Sequence, residues 1–177
     1  MKKNGQVWIE TVLYTLIGLA LIGLALGFIM PQINAAKDKS TVEQAISSLA
    51  DFDERVNTVI ETGVGNIRQI EFYMKKGELE INSESYAISG ESEIKLTLSD
   101  LSKPYSEVGV PVNMGRIKVL TEESQKAYSV SLTISYKTEI KYNGLKNKKF
   151  TSASTPYKFS IENKGSFIDI LEISGQA

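Results

Sequence analysis

Between Val12 and Met30 the chain carries 19 consecutive residues without a formal charge. No other feature constrains its fold as strongly. A helix needs roughly 20 apolar residues to cross a bilayer, so this stretch is membrane-like in both length and character. Extending it back to Val7 adds a single charge, Glu10. An ordinary anchor does not hold a carboxylate within its own apolar segment, where insertion costs about 2.5–3.5 kcal/mol. Two readings of Glu10 stand. In one it snorkels to the inner headgroups, being only four residues beyond Gln6. In the other it meets a cationic partner at similar depth.

Lys2 and Lys3 precede the apolar run. The positive-inside rule therefore leaves the N-terminus in the cytoplasm and places everything after Met30 outside, with Trp8 at the inner headgroup level. A removable secretory signal would share the charged start, but its apolar region spans only about 7–15 residues. Pro31-Gln32-Ile33-Asn34-Ala35-Ala36 offers a small-residue cleavage site, yet it leads straight into a second helical pattern. Retention of the segment is the expectation.

From 33 to 62 apolar side chains recur three or four apart, at Ile33, Val42, Ala45, Ile46, Leu49, Phe52, Val56, Val59 and Ile60. This is the stripe of an amphipathic helix. Lys37, Asp38, Lys39, Glu43, Asp51, Asp53, Glu54 and Arg55 are assigned to its wet face. Pro31 marks a kink or local break, and Gly63 and Gly65 supply the stop.

After Gly63 the period changes to two. Ile70, Phe72 and Met74 alternate with polar neighbours, as do Leu79 and Ile81, then Ile94, Leu96 and Leu98. Tyr128, Val130, Leu132, Ile134, Tyr136, Ile140 and Tyr142 read as the clearest strand. Asn143-Gly144 turns the chain, Tyr157, Phe159 and Ile161 form a further strand, and Lys164-Gly165 leads into 167–173. Lys103-Pro104-Tyr105 and Val110–Gly115 read as loop. The expectation is an α+β protein with seven or eight strands in one antiparallel sheet system. The apolar face of the amphipathic helix packs on it, since each needs a cover.

Composition excludes several chemistries. The chain of 177 residues has no cysteine and no histidine, which removes the usual zinc, iron–sulfur and thiol sites and any histidine base or triad. Twenty basic residues against 21 acidic ones lack the excess that nucleic-acid binding needs. No Walker, nucleophile-elbow or dinucleotide glycine motif occurs, no calcium loop follows Asp51-Phe52-Asp53, and there is no sequon for N-glycosylation. Neither an enzyme nor a cofactor is expected.

Two patterns carry paired readings. Gly23 and Gly27 form a GxxxG, with Gly18 a further small position. This suits close helix packing in an assembly, and equally the ordinary abundance of glycine in membrane helices. Thr11, Tyr14, Thr15 and Gly18 share a face with Glu10. Between Lys137 and Lys164 lie seven lysines against Glu139 and Glu162. They suit an anionic partner or, with more weight, a solvated strand face that protects a sheet edge. Glu78, Glu80, Glu91 and Glu93 read as solvent-facing.

Lys2-Lys3-Asn4-Gly5 before Gln6, Glu10 at the fifth position from Gln6, and the apolar helix behind it resemble the archaeal type IV pilins and pilin-like proteins, which carry a class III (prepilin-type) signal peptide. Gln6, where bacterial pilins usually have phenylalanine, matches the archaeal branch. Trp8 replaces a serine common there, and the bacterial C-terminal disulfide has no counterpart. The resemblance covers residues 1 to about 62 and is architectural beyond them. It implies a leader (1–5) cut after Gly5 by a membrane-embedded prepilin peptidase. It implies a helix at 6–62, with 6–30 spanning the membrane and then entering a filament core and 31–62 amphipathic, and an extracellular β domain at 63–177. A cut there frees an α-amine at Gln6, of ordinary pKa about 7.7–8.0, four residues from Glu10. The implied partners are other copies in a helical filament, an assembly ATPase with its membrane platform, and the membrane before assembly. The implied function is a structural subunit of a cell-surface filament serving adhesion. The alternative is a minor pilin-like or signal-anchored extracellular binding module that does not polymerise on its own. Assembly contacts are assigned to Glu10, Gly18, Gly23 and Gly27, and processing to Gly5 and Gln6.

Overall fold

The computed structural model describes residues 4–125 and 127–173, with side chains from Trp8 onward. Two compact units divide after Lys37. The first is helical throughout its described length. Helix α1 (Asn4–Thr62) accommodates Pro31 internally and begins two residues ahead of the expected Gln6. Among the described residues it is the one helix long and apolar enough to cross a membrane, and none of its most apolar stretch is buried. Trp8 is 71% exposed and Phe28 79%. Apolar surface of this extent is stable only against lipid or other protein.

The second unit contains the C-terminal part of α1 and a β domain, an α+β arrangement. Gly63 closes α1 with a φ of 94°, the left-handed position at which helices end. The strands are β1 (Ile67–Phe72), β2 (Glu78–Asn82), β3 (Ser92–Leu101), β4 (Val112–Met114), β5 (Ile117–Ser124), β6 (Ala127–Tyr136), β7 (Ile140–Tyr142), β8 (Asn147–Thr151), β9 (Tyr157–Asn163) and β10 (Ile168–Glu172), with a short α2 (Tyr86–Ser89) between β2 and β3. They form a six-stranded sheet, β4-β5-β6-β3-β2-β8, and a four-stranded sheet, β1-β9-β10-β7. All pairs are antiparallel except β10 with β7, where Ile168, Asp169 and Ile170 run alongside Ile140, Lys141 and Tyr142.

Among the described residues, ten strands in two sheets correct the expected single antiparallel system. The error lies in the stretch from Tyr128 to Tyr142. Tyr136 and Ile140 are both buried, so the alternation keeps its parity while the chain leaves one sheet for the other. The amide of Ile140 donates to Ser92 Oγ at 3.0 Å instead of continuing the ladder of β6. The loop expected at Val110–Gly115 is also corrected, since Val112–Met114 pairs with β5 through a turn at Gly115-Arg116.

The apolar stripe of α1 within this unit, Val42, Ala45, Leu49, Phe52, Val56 and Val59, is buried with residues of both sheets in one core. Phe52 meets Phe72 and Phe159 edge-on, with ring centroids 5.7 and 5.8 Å apart. Phe159 and Phe150 continue the cluster at 5.2 Å, linking the two sheets. Tyr142 on β7 meets Phe150 on β8 at 5.1 Å. Asn163 donates its side-chain amide to the carbonyl of Val59 at 3.1 Å, fixing the end of α1 to β9.

Candidate functional site

The assembly residues expected from the sequence all lie in the first unit. Lys2 and Lys3 lie outside the described residues, and for Gly5 and Gln6 only a helical backbone is described. Glu10 is exposed, and no ion pair to it forms among the described residues. Its stripe-mate Thr15 needs no neighbour, because its hydroxyl donates to the carbonyls of Thr11 and Val12 at 2.8 and 2.9 Å, the usual back-bonding of a hydroxyl within a helix. Glu10 is therefore the charged group on that face, and no described residue pairs with it.

A Cβ added to Gly18, Gly23 or Gly27 would meet nothing within 4 Å. All three notches are open. At about 100° per residue, Glu10, Tyr14 and Gly18 fall on one side of α1, while Gly23 and Gly27 fall on nearly the opposite side. One helical neighbour cannot serve both.

The β domain holds charged groups that the amphipathic pattern misplaced. Asp53, expected on the wet face, is buried: its side chain is 12% exposed and lies 3.4 Å from the Arg116 guanidinium. Asn57 donates to Asp53 at 2.9 Å and itself accepts a hydrogen bond from Arg116. The guanidinium also lies 5.2 Å from the centroid of the Tyr136 ring. The Tyr136 hydroxyl is buried without a hydrogen-bond partner. Burial first, and the neighbouring Asp53 carboxylate second, push its pKa upward; the two are close but not in hydrogen-bonding geometry. Helix periodicity alone places Asp53 one position beyond Phe52 without showing that Arg116, 63 residues later, reaches it.

Asp38 is the second such residue. Its carboxylate accepts from the Ser102 amide at 2.7 Å and the Ser102 hydroxyl at 2.6 Å, with Lys76 Nζ at 4.0 Å. Lys76 also donates to the carbonyl of Asp100 at 2.8 Å. Burial opposes ionisation of Asp38, but the two Ser102 bonds and Lys76 outweigh it and hold its pKa below the usual value. A carboxylate with a depressed folded pKa contributes stability above its unfolded pKa, and loses it as pH falls through the folded one. Asp38→Ala is expected to destabilise the β domain by about 1–3 kcal/mol at pH 7. The deficit relative to wild type should shrink as pH falls through and below the ordinary carboxylate range near 3.9. Paired urea titrations at pH 7 and pH 3 measure this, and an equal deficit at both would refute it.

The lysine run resolves toward its edge-protecting reading. Lys149 pairs with Glu78 and Glu80 at 2.9 and 3.7 Å, Lys158 with Glu71 at 3.2 Å, Lys164 with Glu162 at 2.6 Å and Lys141 with Glu139 at 3.0 Å. Lys148 lies 5.6 Å from the centroids of Tyr142 and Phe150. Lys148 and Lys149 sit on β8, an edge of the six-stranded sheet, where charge discourages pairing with other chains. Glu78 and Glu80, expected to face solvent, are half-buried in these pairs.

Among the described residues no group of three or more acidic side chains is arranged to hold a metal ion. Two polar clefts open on the six-stranded sheet. One, of about 350 Å³, mixes Glu93, Lys95, Arg116 and Lys118 over Ser131, Thr133 and Ser135. The other, of about 450 Å³, lies at the far end of β3, β5 and β6, between Ser99-Asp100 and Ser124-Gln125. Neither was visible as a site in the sequence, where both appear as the polar half of strand alternation. No family model, curated protein or solved structure matches the chain.

Proposed function

We propose that this chain is a structural subunit of a type IV pilus-like surface filament, made as a membrane-inserted precursor and cut after Gly5. A long apolar N-terminal helix joined to a β-sheet domain is compatible with a pilin-like fold. The observation that carries the proposal is the first unit itself: an apolar helix with no buried residue in its core stretch, one carboxylate with no ion pair among the described residues, and small-residue notches on two opposite sides. Lipid alone would cover the apolar surface. Lipid tails offer nothing to Glu10, whose alternative is to snorkel to the headgroups, and close-packing notches on both sides suit several helical neighbours rather than one.

In the precursor, Lys2 and Lys3 hold the N-terminus at the cytoplasmic face. Cleavage removes both charges and leaves a helix whose remaining carboxylate can meet an α-amine of another copy, setting an axial offset between subunits. The β domain then faces outward, with adhesion as the use implied by the resemblance.

N-terminal sequencing of the cell-associated protein tests processing: a mature chain beginning at Gln6 agrees with the proposal, and one retaining Lys2-Lys3 makes the segment a permanent anchor instead. Glu10→Ala should insert into the membrane as wild type does, since it removes an insertion cost of about 2.5–3.5 kcal/mol. Filament yield should nevertheless fall at least tenfold. Wild-type yield from this variant would remove Glu10 from assembly.

A further inference from the structure

The cleft of about 350 Å³ lies on the outer face of β3, β5 and β6, at the end of the β5–β6 hairpin away from its turn. Strand register sets its chemistry. Lys118 on β5 pairs with Thr133 on β6, and Thr133 with Lys95 on β3, so the three form one row across the sheet. With strands about 4.8 Å apart, the two lysine backbones lie about 10 Å from each other, and both ammonium groups reach the space above Thr133. Neither lysine makes an ion pair among the described residues. Glu80 faces Lys95 from β2 but is already engaged. One of its oxygens lies 3.7 Å from Lys149, and the other accepts from Asn82 and Asn147 at 3.4 and 3.2 Å. The cross-strand neighbours of Lys118 are Asn113 and Thr133, neither of them charged.

The floor between the lysines is polar. Ser131 lines it while only 6% exposed, and its hydroxyl, like that of Thr133, makes no hydrogen bond among the described residues. Arg116 closes one end. Its guanidinium lies 3.4 Å from Asp53 and donates to the carbonyl of Ser135 at 3.3 Å, so its charge is answered within the fold and the two lysines carry the attraction. Glu93 brings a carboxylate to the lining, opposite Ser135 and two residues from Lys95 on the same strand face. The lysines suit an acidic group, whereas Glu93 and the hydroxyls suit a ligand that also presents hydroxyl donors. A sugar bearing an acid has both. Nucleic acid fits less well, because the chain has 20 basic residues against 21 acidic ones and Glu93 repels a phosphate backbone. β3, β5 and β6 each have a strand on both sides, so an acidic peptide finds no open ladder. The volume lies within the roughly 300–1,000 Å³ of small-ligand sites. We propose that this cleft binds an acidic saccharide, one sugar unit of a polysaccharide, with its carboxylate or sulfate between Lys95 and Lys118 and its hydroxyls on Thr133, Ser131 and Glu93. This holds whether or not the chain polymerises.

The test uses the full chain in detergent, passed over immobilised polygalacturonate and dextran sulfate, which carry the two acid groups on sugars. Polyglutamate and duplex DNA serve as anionic polymers of other classes. Wild type should be retained on at least one of the first two, at least fivefold more strongly than on polyglutamate or DNA at the same salt. Lys95→Gln and Lys118→Gln should each weaken retention at least fivefold. Lys158→Gln, on β9 in the other sheet, removes the same charge and should leave retention unchanged. Thr133→Val alters no charge and should weaken retention at least threefold. Glu93→Ala should also weaken it, where attraction by charge alone would strengthen it. The lysine variants should melt as wild type does, since neither side chain has an ion pair to lose. Failure of wild type on both acidic polysaccharides, or equal retention on polyglutamate or DNA, would overturn the proposal. So would an equal loss in Lys158→Gln, wild-type retention of Lys95→Gln, Lys118→Gln or Thr133→Val, or stronger retention of Glu93→Ala.

Discussion

Phe52→Ala should cost the β domain about 3–5 kcal/mol, the range for deleting a fully buried aromatic side chain. The site justifies the upper part of that range. Phe52 has no exposed surface, and its ring stands edge-on to both Phe72 and Phe159, contacts worth about 0.5–1.5 kcal/mol each beyond burial. Collapse around the cavity is resisted because Phe159 is also held by Phe150 and Tyr157, at 5.2 and 5.8 Å. Set against a typical domain stability of about 5–15 kcal/mol, the loss would leave the domain marginal. Phe52→Leu keeps much of the volume and should cost about half as much. Urea unfolding of the full chain in detergent, followed by near-ultraviolet circular dichroism, measures both. A loss below about 1 kcal/mol would mean that α1 is not the keystone of this core.

How far such a core could be anticipated depends on which physical signal was available. The helix stripe from Val42 to Val59 and its stop at Gly63 were legible, because burial on one side and a left-handed terminator are both local properties. The inward residues of the strands were legible for the same reason. Which sheet each strand joins was not: Tyr136 and Ile140 share parity across a break that only tertiary pairing creates. Asp53 shows the same limit from the polar side. A carboxylate beside a core phenylalanine reads as wet unless its cation is in view, and Arg116 arrives from the β4–β5 turn. Glu10 and the glycines stood out because an apolar context makes every charge and every gap conspicuous, yet no described residue pairs with that charge or fills those gaps. The cleft at the end of β3, β5 and β6 was hidden for a different reason. Its serines are ordinary outward strand residues, and only strand pairing and the bulge between Leu98 and Leu101 bring them into one place.

Gly77→Ala should be the most damaging single-methyl change in the β domain. Gly77 has a φ of 101°, and a Cβ there would lie 2.3 Å from the Thr97 carbonyl oxygen and 3.2 Å from Leu98 Cδ2. The first contact is with the backbone of β3, between β6 and β2 in the sheet, which cannot rotate aside as a side chain would. Strain at positive φ alone is worth about 1–2 kcal/mol, and with the displaced carbonyl the total should reach about 3 kcal/mol or more. Gly63→Ala supplies the comparison: its φ is similar, at 94°, but its Cβ meets nothing within 4 Å, so strain acts alone and the cost should stay near 1–2 kcal/mol. Gly77 also adjoins Lys76, which reaches both Asp38 and the Asp100 carbonyl. A shift at Gly77 should therefore loosen the Asp38 contact and the bulge at Asp100 together. The double variant Gly77→Ala with Asp38→Ala should then lose less than the sum of the single losses, by about 0.5 kcal/mol or more. Strict additivity in urea titrations would show that the turn and the Asp38 contact act independently. A Gly77→Ala loss no larger than that of Gly63→Ala would show that β3 yields at Thr97.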